Sequence, residues 1–284
     1  KNFLERFYIL EHKLYRGNVY DEILEVFLLE QAAGHLCDGS FENPAVIGLM
    51  DTFHLETEVI IVMERLPDTV DGHDYLFKVK YIPEDQVKVI FKQIINTALL
   101  MHKYGVFHRD WKLDKILVKR NKGTPEIRVI DFGCGDFVEN EPFSEFNGTP
   151  AFAPPEIFRG ETYMAEATTV WQIGAMLYIY CTRGRFETSV YMTEDNEVLE
   201  NVSMECNDFL SQCLALDPNQ RPTLEDLLLY PCKHCTLRAC LDIKQWIERL
   251  LFQSAPPSPA KSVSTGSREC ACIQRWRNKV ILIP

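Results

Sequence analysis

Four short motifs in a fixed order constrain this chain more than any other feature of its sequence. His108-Arg109-Asp110-Trp111-Lys112 comes first, and Asp131-Phe132-Gly133 follows it. Gly148-Thr149-Pro150 and Pro154-Pro155-Glu156 complete the set. An aspartate in an isolated motif of this kind is usually a turn residue that hydrogen-bonds nearby backbone. Four ordered motifs predict instead that these carboxylates and the lysine meet in one site.

Together the motifs resemble the signature set of the protein kinase family. The resemblance implies ATP and Mg²⁺ as cofactors, in a reaction that depends on positioning and charge neutralisation. It implies that Asp110 accepts the proton of a substrate hydroxyl, that Lys112 steadies the phosphate and that Asp131 binds the metal. His108 and Phe132 are expected to be packing elements that fix these loops.

Three further residues have roles that the same resemblance implies. Thr149 is expected beside the substrate. Glu156 and Arg221 are expected to form a buried ion pair that anchors the end of the activation segment. That role is structural.

Several details are similar to the Pim group of serine/threonine kinases. Thr169-Val170-Trp171 has valine where most protein kinases place an aspartate at the start of a long helix. Met63-Glu64-Arg65-Leu66-Pro67 resembles the Pim hinge, whose proline lacks a backbone donor. The resemblance extends over about 25–235 and implies that ATP contacts Glu64 and Leu66, with Gly17 above it in the glycine-rich loop.

Pim kinases phosphorylate serine or threonine in peptides with basic residues upstream. The resemblance therefore implies that Asp71 and Asp114 bind substrate arginines through charge-assisted hydrogen bonds. An ordinary surface carboxylate is an equally good interpretation of Asp71. The chain has 30 Lys and Arg against 41 Asp and Glu, a net charge of -11, which argues against nucleic acid or an anionic membrane as its main partner. An acidic surface can attract a basic protein or peptide, but a solvated surface that keeps the protein in solution is the more common reason for such a charge.

The composition predicts a monomer of the cytoplasm or nucleus. Apolar runs are too short to span a bilayer, no signal-peptide pattern precedes Leu4, and the scattered cysteines are typical of reduced thiols.

We expect an α+β fold with two unlike lobes. The predicted parts are an incomplete, β-rich N-lobe over 1–66, a helical C-lobe over 67–235, and a helix with a Ser/Pro-rich tail over 236–284. The periodicity predicts a hairpin and several helices. The hairpin strands are 46–53 and 58–64, and the helices are 21–33, 83–104, 168–181, 204–216 and 224–229.

The predicted N-lobe departs from the family pattern. The segment 14–20 resembles a truncated glycine-rich loop, and the strand that carries the family's Val-Ala-Ile-Lys lysine is absent before Glu25. Glu25 matches the family's salt-bridging glutamate, and Lys13 or Arg16 are alternative partners. Burying this carboxylate alone would raise its pKa or cost stability, so we expect Glu25 to be exposed or locally disordered.

Lys115 is the second departure, since it stands where the family has an asparagine that binds the second Mg²⁺. An ammonium group has no lone pair and cannot bind a cation. Lys115 is expected to occupy the place of the metal and to pair with Asp131. Two hypotheses follow: a serine/threonine kinase that uses Asp110, Lys112 and Asp131, or a pseudokinase that binds basic partners through its acidic surface.

Overall fold

The computed structural model describes residues 13–15, 18–20, 23–34, 43–54, 59–79, 81–119, 124–193 and 198–229. The expectations for Arg16, Gly17 and the tail 236–284 lie outside these ranges. Residues up to Leu228 belong to one compact unit.

The small lobe consists of two antiparallel hairpins and one helix. Strands β1 (Lys13–Tyr15) and β2 (Asn18–Tyr20) pair with each other. Helix α1 (Leu24–Ala33) follows, and β3 (Leu49–His54) pairs with β4 (Val59–Met63). The hairpin predicted at this place is therefore confirmed.

Helix α1 begins very soon after β2. Only Asp21, Glu22 and Ile23 separate Tyr20 from the first turn of the helix, so the chain between them is too short for a further strand. The helix ends at Gly34, whose φ of 87° is the left-handed conformation that glycine adopts readily. Most of its residues are buried, so it belongs to the core.

Two elements connect the hinge to the large lobe. Strand β5 (Thr69–Asp71) runs into helix α2 (Gly72–Lys78), which the periodicity did not predict. Helix α3 (Glu84–Lys103) matches its prediction, and Gly105, with a φ of 77°, follows its C-cap.

Short strands flank the segment 108–115, which is called the motif loop below. Strand β6 (Val106–Phe107) precedes the loop and pairs with β9 (Asp136–Phe137). Strand β7 (Ile116–Lys119) follows it and lies between β5 and β8 (Glu126–Val129). Since Asp131 comes just after β8, the sheet brings both aspartate motifs to one place.

The rest of the large lobe is helical, as expected for the α+β fold, which is confirmed. Its helices are α4 (Pro155–Phe158), α5 (Ala165–Thr182), α6 (Thr188–Tyr191), α7 (Met204–Cys213) and α8 (Leu224–Leu229). Helix α5 is buried along most of its length and packs against α3 and α7. Within the described ranges, no helix combines the length and apolarity needed to cross a membrane.

Candidate active site

Asp110, Lys112 and Thr149 form a closed triangle of polar contacts. Lys112 Nζ lies 3.0 Å from Asp110 Oδ2 and donates to Thr149 Oγ1 at 2.7 Å. The backbone N–H of Thr149 donates to Asp110 Oδ1 at 2.8 Å. Burial by itself would raise the pKa of Asp110, but the hydrogen bonds from Thr149 and the charge of Lys112 outweigh it and hold that pKa below its ordinary value. Asp110 is therefore an ionised acceptor at neutral pH.

His108 links the loop that carries Asp110 to the segment that carries Asp131. Its Nε2 donates to the carbonyl of Ile130 at 3.2 Å, so Nδ1 is left to accept from the Asp110 N–H at 3.3 Å. Burial lowers the pKa of His108, which keeps the ring neutral in this arrangement. The ring lies 5.1 Å from Phe132 and 5.2 Å from Trp111 between centroids. His108 and Phe132 thus join the two motif loops by packing.

Lys115 forms an ion pair with Asp131, which is the predicted pairing. Its backbone carbonyl accepts from the Ile130 N–H at 3.0 Å, so the residue is tied directly beside Asp131. The other carboxylate oxygen of Asp131 accepts from the Gly133 N–H at 3.3 Å. Burial would lower the pKa of Lys115, but Asp131 and Asp110 raise it, so Lys115 stays charged.

Glu25 reaches the same site from helix α1. Its carboxylate approaches the backbone of Gly133, where a Cβ would lie 3.4 Å from Glu25 Oε2. Burial and the nearby Asp131 raise the pKa of Glu25 to about 7, although Lys115 and a hydrogen bond from Phe132 lower it. The expectation that Glu25 is exposed is wrong, because Glu25 is half-buried, and this burial is the main cause of its raised pKa.

The hinge residues have divided roles. Glu64 accepts from the Gly48 N–H at 3.1 Å through Oε1, and the same oxygen lies 3.5 Å from Arg128 Nε. Its side chain is thereby turned to the β3 side of the hinge, and its backbone N–H donates to the Gly48 carbonyl at 2.8 Å. Leu66 is half-buried against the core, and its carbonyl accepts from Thr69 Oγ1 at 2.9 Å. Gly17, the third residue predicted to contact ATP, lies outside the described ranges.

The two predicted arginine-binding carboxylates lie on segments that pack together. Asp71 is the N-cap of α2 and accepts from the Asp74 N–H at 2.7 Å, so it has a structural task as well. The next residue, Gly72, packs so closely that a Cβ there would lie 2.9 Å from the carbonyl of Leu113. Asp114 follows in the chain and is exposed.

Two supporting residues were not predicted. Arg109 has a φ of 65°, and its guanidinium donates to the carbonyl of Cys134 at 2.7 Å and pairs with Asp136 at 3.1 Å. Gln172 accepts from the Trp111 N–H at 3.2 Å and donates to the Arg109 carbonyl at 2.8 Å. Gln172 therefore holds the motif loop from helix α5. The signal was a glutamine within an otherwise apolar buried stretch.

Glu156 and Arg221 form the buried ion pair expected of them. The guanidinium contacts both carboxylate oxygens, at 2.9 and 2.7 Å, and the two side chains are 1% and 0% exposed. Arg221 also donates to the carbonyls of Ala215 and Ala167, at 2.9 and 3.0 Å, and lies 5.0 Å from the centre of the Trp171 ring. The pair joins α4 to the segment before α8.

Residues 35–232 match the protein kinase domain family. The chain belongs to the protein kinase family. Serine/threonine-protein kinase pim-2 of Danio rerio is 30% identical over 213 residues, which cover 73% of this chain and 67% of that protein. Serine/threonine-protein kinase prk-2 of Caenorhabditis elegans is 31% identical over 193 residues, 66% of this chain. Sperm motility kinase 2B of Mus musculus is 26% identical over 199 residues, 67% of this chain. The chain spans only 43% and 40% of these last two relatives.

Protein kinase domains in general use ATP with divalent metal ions, and the donor set here fits that use only in part. The carboxylate of Asp131 is a suitable ligand for a hard cation. Lys115, at the second ligand position, offers donors only and already pairs with Asp131. The second metal site of the family therefore does not fit this chain, and a cation at Asp131 would compete with the Lys115 ammonium.

Proposed function

We propose that this kinase-family chain binds ATP and transfers its γ-phosphate to serine or threonine hydroxyls of basic proteins or peptides. The triangle of Asp110, Lys112 and Thr149 carries the proposal. It places an ionised acceptor and a cation 3.0 Å from each other in the loop that follows β6. Positioning and charge are what phosphoryl transfer requires of a protein.

Each member of the site then has a proposed role. Asp110 accepts the proton of the attacking hydroxyl, Lys112 steadies the transferred phosphate, and Thr149 lies beside the substrate. The hinge backbone at Glu64 and Leu66 holds the adenine. ATP and Mg²⁺ are the proposed cofactors, and Asp131 is the retained ligand for the cation.

A Pim-type preference for basic sequences is the finer part of the proposal. The net charge of -11 supports it, as does the close packing of Gly72, next to Asp71, against Leu113, next to Asp114. A substrate guanidinium can bind two such carboxylates by charge-assisted hydrogen bonds. A monomer in the cytoplasm or the nucleus completes the proposal.

The ion pair of Lys115 with Asp131 favours a second candidate function. Loss of a metal ligand removes electrostatic stabilisation that can contribute several kcal/mol to catalysis. The second candidate is thus a pseudokinase that binds basic partners without transferring phosphate.

Phosphate transfer from radiolabelled ATP to a Ser peptide with upstream arginines separates the two candidates. The kinase proposal predicts incorporation that depends on Asp110 and falls when the arginines are replaced by alanine. Asp114→Asn should reduce the preference for the arginine peptide, whereas Asp208→Asn, an exposed acid on α7, serves as the control. Peptide binding without any Asp110-dependent transfer would support the pseudokinase instead.

A further inference from the structure

The Lys115 ammonium has the place and the charge to act on a nucleotide. Its backbone is fixed on both sides: its N–H donates to the Lys112 carbonyl at 3.0 Å, and its carbonyl accepts from Ile130 at 3.0 Å. The Lys115 side chain is 20% exposed, so it is partly buried but still accessible to a ligand. The backbone bonds place the residue beside Asp131, and the ion pair holds its ammonium group there.

The bonding capacity of this ammonium group is only partly used by Asp131. A lysine ammonium has three donors, and a carboxylate oxygen takes one. The remaining donors can reach phosphate oxygens, which a lysine binds as a point charge. Among the described residues, Lys112 is the second cation near Asp110 and Asp131, and it is engaged with Asp110 and Thr149.

The carboxylates explain why a fixed cation is needed. Glu25, Asp110 and Asp131 all act on this site, and without a cation they would repel a triphosphate. In the family pattern metal ions neutralise this charge. Here both oxygens of Asp131 already accept from protein donors, Gly133 and Lys115.

We propose that Lys115 supplies the positive charge that a divalent cation otherwise supplies in nucleotide binding, so that ATP binding by this chain does not require a metal ion. The inference rests on the proposed ATP site and defines its charge balance. Lys115 is then a specificity-determining residue, because its ammonium supplies the positive charge for which ATP binding would otherwise require a metal ion.

The test is binding of a fluorescent methylanthraniloyl-ATP to the full chain, in excess EDTA and then in Mg²⁺. Wild type is expected to bind with dissociation constants that differ less than threefold between the two buffers. Lys115→Asn should bind at least tenfold more weakly in EDTA and recover in Mg²⁺, because the asparagine can bind a cation. Lys119→Asn should behave as wild type, since that lysine pairs with Glu126 on a neighbouring strand.

Circular dichroism and the melting temperature without nucleotide show that each variant is folded. Should Lys115→Asn not fold, Lys115→Gln replaces it: this variant also removes the ammonium and should bind at least tenfold more weakly than wild type in EDTA. Wild-type binding that requires Mg²⁺ overturns this inference and leaves the kinase proposal in place. Absence of binding in both buffers, with folded protein, overturns the proposed ATP site itself and this inference with it.

Discussion

Removing one partner of the Glu156–Arg221 pair should destabilise the fold far more than removing a charge from an exposed pair. Arg221→Met keeps the length of the side chain and removes its charge. Glu156 then stays 1% exposed without its cation, and two backbone carbonyls lose their donor.

The size of the effect follows from this burial. Breaking a buried ion pair from one side typically costs about 3–5 kcal/mol, because an uncompensated charge is left in the interior. In a domain of this size each kcal/mol lowers the melting temperature by about 2–4 °C. The expected decrease is therefore about 6–20 °C.

The matched control is Arg159→Met. Arg159 pairs with Glu161 at 3.1 Å, but the two side chains are 35% and 54% exposed. Exposed pairs contribute about 0–1 kcal/mol, so its melting temperature should fall by a few degrees at most. Urea unfolding and thermal melts of both variants measure the difference.

Equal losses in the free energy of unfolding for Arg221→Met and Arg159→Met would show that burial does not determine the cost of breaking an ion pair here. A cost below about 1 kcal/mol for Arg221→Met would also contradict it, since the buried carboxylate would then have found another partner or protonated without consequence. The double variant Glu156→Gln/Arg221→Met should cost less than the sum of its two single changes, because it leaves no lone charge.

Three further predictions concern other buried or partly buried polar side chains. Gln172→Met removes two hydrogen bonds to the motif-loop backbone and should cost about 2 kcal/mol or more in urea unfolding, with a lower rate of phosphate transfer; unchanged values would exclude a positioning role. Ser203→Ala removes the N-cap of α7 and a bond to Glu84 and should cost about 1–2 kcal/mol; no change in the unfolding midpoint would contradict this. Burial lowers the pKa of His102 to about 4, below its unfolded value near 6.5. Because the unfolded chain takes up the proton more readily, the contribution of His102 to the free energy of unfolding is fully present above pH 6.5. This free energy should fall by at most about 3 kcal/mol toward pH 4. His102→Gln should flatten that pH dependence, whereas His73→Gln, on an exposed residue, should not.

Elements with a clear local pattern were predictable from the sequence. The spacing of apolar residues in α3 and the β-branched residues of the β3–β4 hairpin each predict the observed structure. Thr223 and Asp226 have the spacing of a capping box and form reciprocal capping bonds at α8, with Asp226 N–H donating to Thr223 Oγ1 at 3.1 Å. Their signals are local, so no tertiary contact was needed.

Other features depend on contacts between distant segments. Helix α2 is only a few residues long, and its start is set by the Asp71 cap and by the contact of Gly72 with the Leu113 carbonyl. Gln172 acts on a loop far away in the chain. Periodicity carries no information on such contacts, whereas the Lys115–Asp131 pair was predictable because ammonium chemistry excludes a metal ligand.

The central claim is that the retained Asp110 triangle makes this chain a phosphotransferase. It is tested most directly by single-turnover transfer of radiolabelled γ-phosphate from ATP to an arginine-rich Ser peptide, with the full chain in excess. We expect transfer by the wild type and a rate at least ~10²-fold lower for Asp110→Asn, because this variant lacks the general base. No transfer, or equal rates for the two folded proteins, would contradict it.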